Sequence, residues 1–135
     1  MGKFTEFKRK IAGAIVTYYY GRMYDKAVEK ADARHAKEGE TIYVIDHFIQ
    51  GQFLSAINRK EFRFYIKGPA TELHKNSIYA SPHYGMNMLR QQAWYHTADR
   101  SEQNGLTETD KVIRRGAFIR SGLKKARLLS AEQQK

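Results

Sequence analysis

Residues 41–58 have the sequence TIYVIDHFIQGQFLSAIN and carry the clearest β-strand signal in the chain. Two runs rich in β-branched and aromatic residues, 41–47 and 53–58, flank residues 50–52, whose Gln-Gly-Gln composition is typical of a turn. This pattern predicts a β-hairpin. Because a two-stranded sheet is only marginally stable alone, we expect the hairpin to lie on a helix or to pair with an edge of another chain.

The segment before the hairpin, residues 4–37, has the apolar periodicity of a long helix. A helix of that length spans about 51 Å, whereas a compact globule of this chain length is roughly 37 Å across. Such a helix overhangs its own domain, so a second helix or a second subunit must cover its apolar stripe. A break at Gly21, which gives two ordinary helices, is the alternative. The residues on the predicted stripe are Phe4, Phe7, Ile11, Ala14, Tyr18 and Gly21.

Four tyrosines of this helix are candidate protein-interface residues. They surround the helix instead of lining one stripe, so some of them must lie outside the intramolecular core. Tyrosine combines an apolar ring with a polar hydroxyl and is enriched at protein interfaces. The four residues are Tyr18, Tyr19, Tyr20 and Tyr24.

Two shorter helices are predicted after the hairpin. Asn58 stands three residues before Glu61, which predicts a capping box at the start of a helix over residues 59–67. Its basic and aromatic residues could contact nucleic acid, but an ordinary amphipathic helix also explains them. A Ser-Pro pair at 81–82 predicts the start of another helix. The apolar side of that helix would consist of Met86, Leu89 and Ala93.

Thr107 predicts the N-cap of a last helix, with carboxylates in its first turn that favour the positive end of the helix dipole. A polar connection over residues 99–105 precedes it. We therefore predict a mainly helical α+β fold with a long N-terminal helix, one β-hairpin, short helices and a basic C-terminal helix. The seam of the last helix is predicted to consist of Val112, Gly116, Ile119, Leu123 and Ala126.

The net charge of +10 is concentrated near the C-terminal end of the sequence. Residues 1–38 contribute +4, residues 39–110 contribute −1 and residues 111–135 contribute +7. We accordingly divide the single domain into a helix-plus-hairpin module, 1–110, and a basic helix and tail, 111–135. Such a charge block is typical of contact with DNA or an acidic protein surface, or else of a solvated helix face. The predicted contact residues are Lys111, Arg114, Arg115, Arg120, Lys124, Lys125 and Arg127.

Composition and motifs argue against several other classes of protein. The chain is 41% hydrophobic and 13% aromatic, enough for a packed core, and it has no cysteine. The apolar run at residues 11–20 is too short to cross a bilayer, and no signal-peptide cleavage site follows it. We therefore expect a protein that is not secreted by a signal peptide and has no membrane partner.

No spacing in the sequence predicts a metal centre, a cofactor or a catalytic group. The five histidines are dispersed, and neighbouring Asp46 and His47 would point to opposite faces of a strand. Nucleotide-binding and nucleophile-elbow motifs are absent from the sequence. We predict that the protein is not an enzyme, although a triad assembled from distant positions would leave no local signature.

Four short stretches, ADARH (31–35), TIYVI (41–45), INRKEF (57–62) and IYASP (78–82), give the chain a loose resemblance to a known group of sequences. It resembles small uncharacterised proteins of gut Bacteroidales and their crAss-like phages. The resemblance implies a phage or mobile-element setting, with the protein in the host cytoplasm or in the virion. It implies no particular functional residue.

Together these features predict a non-enzymatic structural or assembly subunit, in a phage setting a virion component. Its long aromatic helix would make protein contacts in a homo-oligomer or larger assembly, and its basic helix would contact DNA or an acidic partner. The alternative is a nucleic-acid-binding accessory protein.

Overall fold

A computed structural model describes residues 2–46, 52–68 and 85–133. The fold is α+β and mainly helical, as predicted. The predicted Ser-Pro helix start at 81–82 and most of the predicted hairpin turn lie outside the described residues. The elements are α1 (Gly2–Glu38), β1 (Ile42–Asp46), β2 (Leu54–Asn58), α2 (Arg59–Lys67), α3 (Met86–Gln92), β3 (Tyr95–His96) and α4 (Glu108–Gln133).

The predicted hairpin is confirmed as the antiparallel pair β1 and β2, with Ile42 opposite Asn58. A third strand that the sequence did not predict, β3, pairs antiparallel with the other edge of β1. Its pairing is extended by the Trp94 N–H, which donates to Val44, and by the Thr97 N–H, which donates to Ile42. β1 is therefore the central strand of a three-stranded sheet, and hydrogen bonds satisfy both of its edges.

Both faces of β1 are buried. On one face Ile42 and Val44 pack with Tyr24, Ala31 and Phe118 of α1 and α4. On the other face the remaining two apolar residues of β1 pack against α2 and α3, which makes a three-layer arrangement around the sheet. Burial on both faces explains why residues 42–45 are continuously apolar instead of alternating with polar residues. The second layer of the core consists of Tyr43, Ile45, Ile57, Phe62, Leu89 and Ala93.

α1 is continuous through Gly21, which resolves the alternative left open by the sequence. A Cβ atom at Gly21 would lie 2.7 Å from a guanidinium nitrogen of Arg115, so the glycine leaves room for that side chain of α4. Gly39 has a positive φ of 72° and donates its N–H to the carbonyl of His35, which ends the helix.

α4 runs antiparallel to α1, because Arg115 contacts Asp25 while Leu123 lies beside Gly13. The predicted seam of α4 is displaced by one residue: Phe118 is fully buried, and Val112 is 71% exposed. The reason is the ring of Phe118, which contacts four aromatic rings that come from distant parts of the chain. Those rings belong to Tyr20, Tyr24, Phe53 and Trp94. The 110/111 boundary drawn from charge falls inside this helix.

Arg34 joins α1 to the hairpin and to α2. Its guanidinium donates to the carboxylates of Glu38 and Glu61 and to the carbonyl of Ala56. Glu61 also accepts from the N–H of Asn58, and the Asn58 side chain accepts from the N–H of Glu61, so the predicted capping box is confirmed. These hydrogen bonds raise the pKa of Arg34, opposed in part by burial. The Arg34 guanidinium therefore connects α1, β2 and α2 through hydrogen bonds.

Two helical glycines test the α1/α4 packing. A Cβ atom at Gly122 would overlap the Tyr20 ring, whereas the nearest atom to one at Gly13 is Leu123 Cδ2 at 4.0 Å. We expect Gly13→Ala to raise the free energy of unfolding by about 0.5–1 kcal/mol, because alanine is the better helix former. Gly122→Ala should lower it by about 1–3 kcal/mol, because the ring must move. Urea denaturation measures both, and equal stabilisation of the two variants would contradict the packing.

His35 links the end of α1 to the loop before α4. Its Nδ1 lies 2.7 Å from the carbonyl oxygen of Glu40, and its Nε2 lies 2.8 Å from Oε1 of Glu102. The hydrogen bond to the Glu40 carbonyl is the main cause that raises the pKa of His35 above 6.5, and the Glu102 carboxylate adds to the rise. The protonated ring therefore stabilises the folded state below pH 6.5, and this contribution is lost as the pH rises through the folded-state pKa.

We expect Glu102→Gln to lower the free energy of unfolding below pH 6.5 by up to about 1 kcal/mol, since the carboxylate is largely exposed. At pH 9 we expect the contribution of the protonated ring to be lost, so the substitution should have little effect. Glu108→Gln, which removes a carboxylate paired with Lys111, is the control and should show no pH dependence over this interval. An equal loss for Glu102→Gln at both pH values would contradict the assignment.

Candidate functional site

The first half of α1 and the second half of α4 form a helical pair that we call the arm, residues 2–19 and 120–133. Neither core cluster of the described chain includes a residue of 2–19. The arm holds eight Lys or Arg residues and two carboxylates, Glu6 and Glu132. It is therefore strongly basic, and it projects from the part of α1 that packs on the sheet.

One side of α1 in the arm is an exposed apolar stripe, which we define as Phe7, Ile11, Ile15 and Tyr18. Spacings of four, four and three place these side chains in one line, and they are 44% to 59% exposed. The stripe lies on the side of α1 opposite to Gly13, which faces α4. Of the predicted stripe, Phe7, Ile11 and Tyr18 lie on this exposed side, whereas Gly21 is buried against α4.

Lysines border the apolar stripe on both sides. By helical periodicity Lys3 and Lys10 lie along one border and Lys8 along the other, and all three are exposed. A partner that covers the stripe therefore also meets positive charge at its rim.

The four candidate tyrosines divide into two pairs. Tyr24 is buried and donates its hydroxyl to the carbonyl of Trp94 at 2.7 Å, and burial raises its pKa to about 12. Tyr20 packs on the ring of Phe118, with the ring centroids 5.2 Å apart. Tyr18 and Tyr19 are 59% and 63% exposed and contact each other edge to face. The structure thus leaves Tyr18 and Tyr19 at the surface and places the other two in the core.

Three of the seven predicted basic contact residues form an exposed line on α4, which we call the basic stripe: Arg120, Lys124 and Arg127. Spacings of four and three place them on one side of the helix, opposite to the buried Phe118 and Gly122. The line is about 10 Å long. Neighbouring phosphates of one strand of B-DNA are 3.4 Å apart along the axis, so the length of the basic stripe matches about three phosphate spacings.

Arg114 and Arg115 instead hold α4 against the rest of the fold. Arg114 donates to the carbonyls of Arg90 and Ala93, at 2.8 and 2.7 Å, where α3 ends. Arg115 forms a two-bond ion pair with the carboxylate of Asp25, with distances of 2.9 and 3.0 Å. This pairing raises the pKa of Arg115. These two guanidinium groups therefore act within the chain.

Lys111 and Lys125 also have partners inside the chain. The Lys111 ammonium lies 3.2 Å from the carboxylate of Glu108, one helical turn away. The Lys125 ammonium lies 5.0 Å from the centroid of the Phe53 ring, in cation–π geometry. A count of positive charges along α4 cannot separate these roles, because only the partner of Lys111 lies on α4 and the others come from α1, α3 and the hairpin.

The described residues contain no group of three or more His, Asp or Glu residues placed to hold a metal ion. Within the same residues, no helix has both the length and the apolarity that crossing a bilayer requires.

The exposure of the apolar stripe predicts how it responds to substitution. Ile11→Ser should change the free energy of unfolding of the monomer by less than about 0.5 kcal/mol, because no buried contact is lost. Ile45→Ser, at a buried position of β1, should lower it by about 2–5 kcal/mol. Chemical denaturation at low protein concentration measures both. A loss at Ile11 as large as that at Ile45 would show that the stripe is covered within the chain.

No family model, curated protein or solved structure matches this chain. The proposed function therefore depends on the geometry and charge of the arm.

Proposed function

We propose that this chain is a non-enzymatic assembly protein whose arms pair with one another on a nucleic acid. The apolar stripe contacts the apolar stripe of a second copy, and the basic stripe contacts the phosphates. The observation that carries the proposal is the placement of the two stripes on exposed sides of one helical pair.

The apolar stripe supports a helix-to-helix contact. Its 4-4-3 spacing is the one by which a helix packs on another helix, and its four large side chains are about half exposed in a single copy. A second copy offers the same stripe, so a two-fold pairing would cover both at once.

Charge opposes that pairing when no polyanion is present. Each arm has eight basic residues and two carboxylates, and the lysines that border the stripe would approach their counterparts in the second copy. Repulsion of this kind is long-ranged at low salt and falls off within about 3 Å at 1 M salt. Phosphate groups would neutralise it, which links assembly to nucleic-acid binding.

In the phage setting implied by the sequence resemblance, such a protein is a virion component. Binding of nucleic acid by separate copies, with no pairing, corresponds to the alternative of an accessory protein. The stoichiometry of the complex distinguishes the two.

We expect opposite salt dependences for the two contacts. Light scattering should find a monomer at about 50 mM salt and a dimer at 1 M salt, because repulsion is screened while apolar burial is retained. The logarithm of the affinity for a mixed-sequence DNA duplex should fall linearly with the logarithm of the salt concentration. At low salt the duplex should bind copies in pairs. Together these outcomes would support assembly on DNA.

Matched variants separate the two stripes. The triple variant Arg120→Gln, Lys124→Gln, Arg127→Gln should reduce the salt slope by about 2 to 3, since each phosphate contact contributes about 0.9. Its control removes three exposed lysines from the other half of α1, at Lys26, Lys30 and Lys37, and should reduce the slope less.

The double variant Ile11→Ser, Ile15→Ser should bind DNA as single copies and remain monomeric at 1 M salt. The control is Ile113→Ser, at an isoleucine outside the stripe that is 58% exposed. DNA binding with an unchanged slope in the triple variant, or pairing that survives in the double variant, would overturn the proposal.

A further inference from the structure

A cleft of about 290 Å³ opens beside β1, far along the fold from the arm. Three arginines from three different elements converge on it. Arg59 is the first residue of α2, Arg90 lies on α3, and Arg100 lies in the connection between β3 and α4. Its lining residues are Glu40, Thr41, Tyr43, Arg59, Arg90 and Arg100.

The fold holds the two arginines of α2 and α3 in position. Arg59 follows Asn58, whose side chain caps α2, so the start of that helix is set by the capping box. Arg90 follows Leu89, which is fully buried, and its carbonyl accepts a hydrogen bond from Arg114. Both backbones are therefore fixed by contacts independent of any ligand.

Among the described residues that line the cleft, arginines outnumber carboxylates. Glu40 supplies the one carboxylate of this described lining, and its Oε1 is 3.7 Å from a nitrogen of Arg100, longer than a hydrogen bond. Burial raises the pKa of Tyr43, and the positive charges of Arg90 and Arg59 oppose that rise, so both charges act on a residue that lines the cleft.

We propose that this cleft binds the phosphate group of a small phosphorylated molecule. A phosphate monoester carries close to two negative charges at neutral pH. Guanidinium groups donate paired hydrogen bonds that fit phosphate oxygens. The volume lies near the lower end of the range for ligand pockets, which suits a ligand with a few atoms beyond the phosphate.

The test is isothermal titration calorimetry of the full chain with ribose 5-phosphate, with inorganic phosphate, and with acetate as a singly charged control. We expect both phosphates to bind and acetate to bind at least about 10-fold more weakly, since it offers one charge instead of two. Arg59→Gln and Arg100→Gln should each weaken phosphate binding about 10-fold. Arg63→Gln, one turn along α2 and outside the cleft lining, should change it less than about 2-fold.

The variant Glu40→Gln shows whether weaker phosphate binding in the arginine variants comes from the cleft itself or from damage to the fold. Removal of the competing carboxylate should tighten phosphate binding by about 3- to 10-fold, an outcome that damage to the fold would not produce. The proposal is overturned if inorganic phosphate and ribose 5-phosphate give no heat at about 10 mM. It is also overturned if Arg63→Gln weakens binding as much as Arg59→Gln, or if Glu40→Gln fails to tighten it. DNA binding by the arm is measured separately and does not depend on these outcomes.

Discussion

The burial of both faces of β1 is the constraint on which the rest of the structure depends. A strand points successive side chains to opposite faces, so Ile42 and Val44 require cover on one side and Tyr43 and Ile45 on the other. α1 and α4 supply the first cover, and α2 and α3 supply the second. The positions of the helices, and hence of the arm and the cleft, follow from this requirement.

The same constraint explains why α1 leaves an arm. A short strand needs cover from only part of a helix that is 37 residues and about 55 Å long. Residues from Tyr20 onward meet the sheet and its neighbours, while residues 2–19 extend past it beside α4. Apolar side chains on the outward face of that extension have no partner in either core cluster, in contrast to those at the sheet end of the helix.

Local signals were sufficient wherever a few neighbouring residues determine the structure. The hairpin, the Asn58 capping box and the Thr107 cap, where Asp110 N–H donates to the Thr107 hydroxyl, were all predicted from adjacent positions. β3 was missed because two residues show no periodicity. The seam of α4 was misplaced by one residue because Phe118 is buried by contacts with four rings that lie far away in the sequence, those of Tyr20, Tyr24, Phe53 and Trp94.

The basic residues show most clearly what sequence pattern leaves out. Arg34, Arg114 and Arg115 have the same charge as Arg120 and Arg127, yet the first three serve intramolecular contacts across α1, α2, α3 and α4. A net charge therefore overstates the charge offered to a partner. Conversely, Arg59, Arg90 and Arg100 are distant in sequence and have no motif in common, but the two-sided sheet brings them to one cleft. Because the role of each cation depends on what the fold places beside it, the arm and the cleft are better guides to binding than the overall excess of +10.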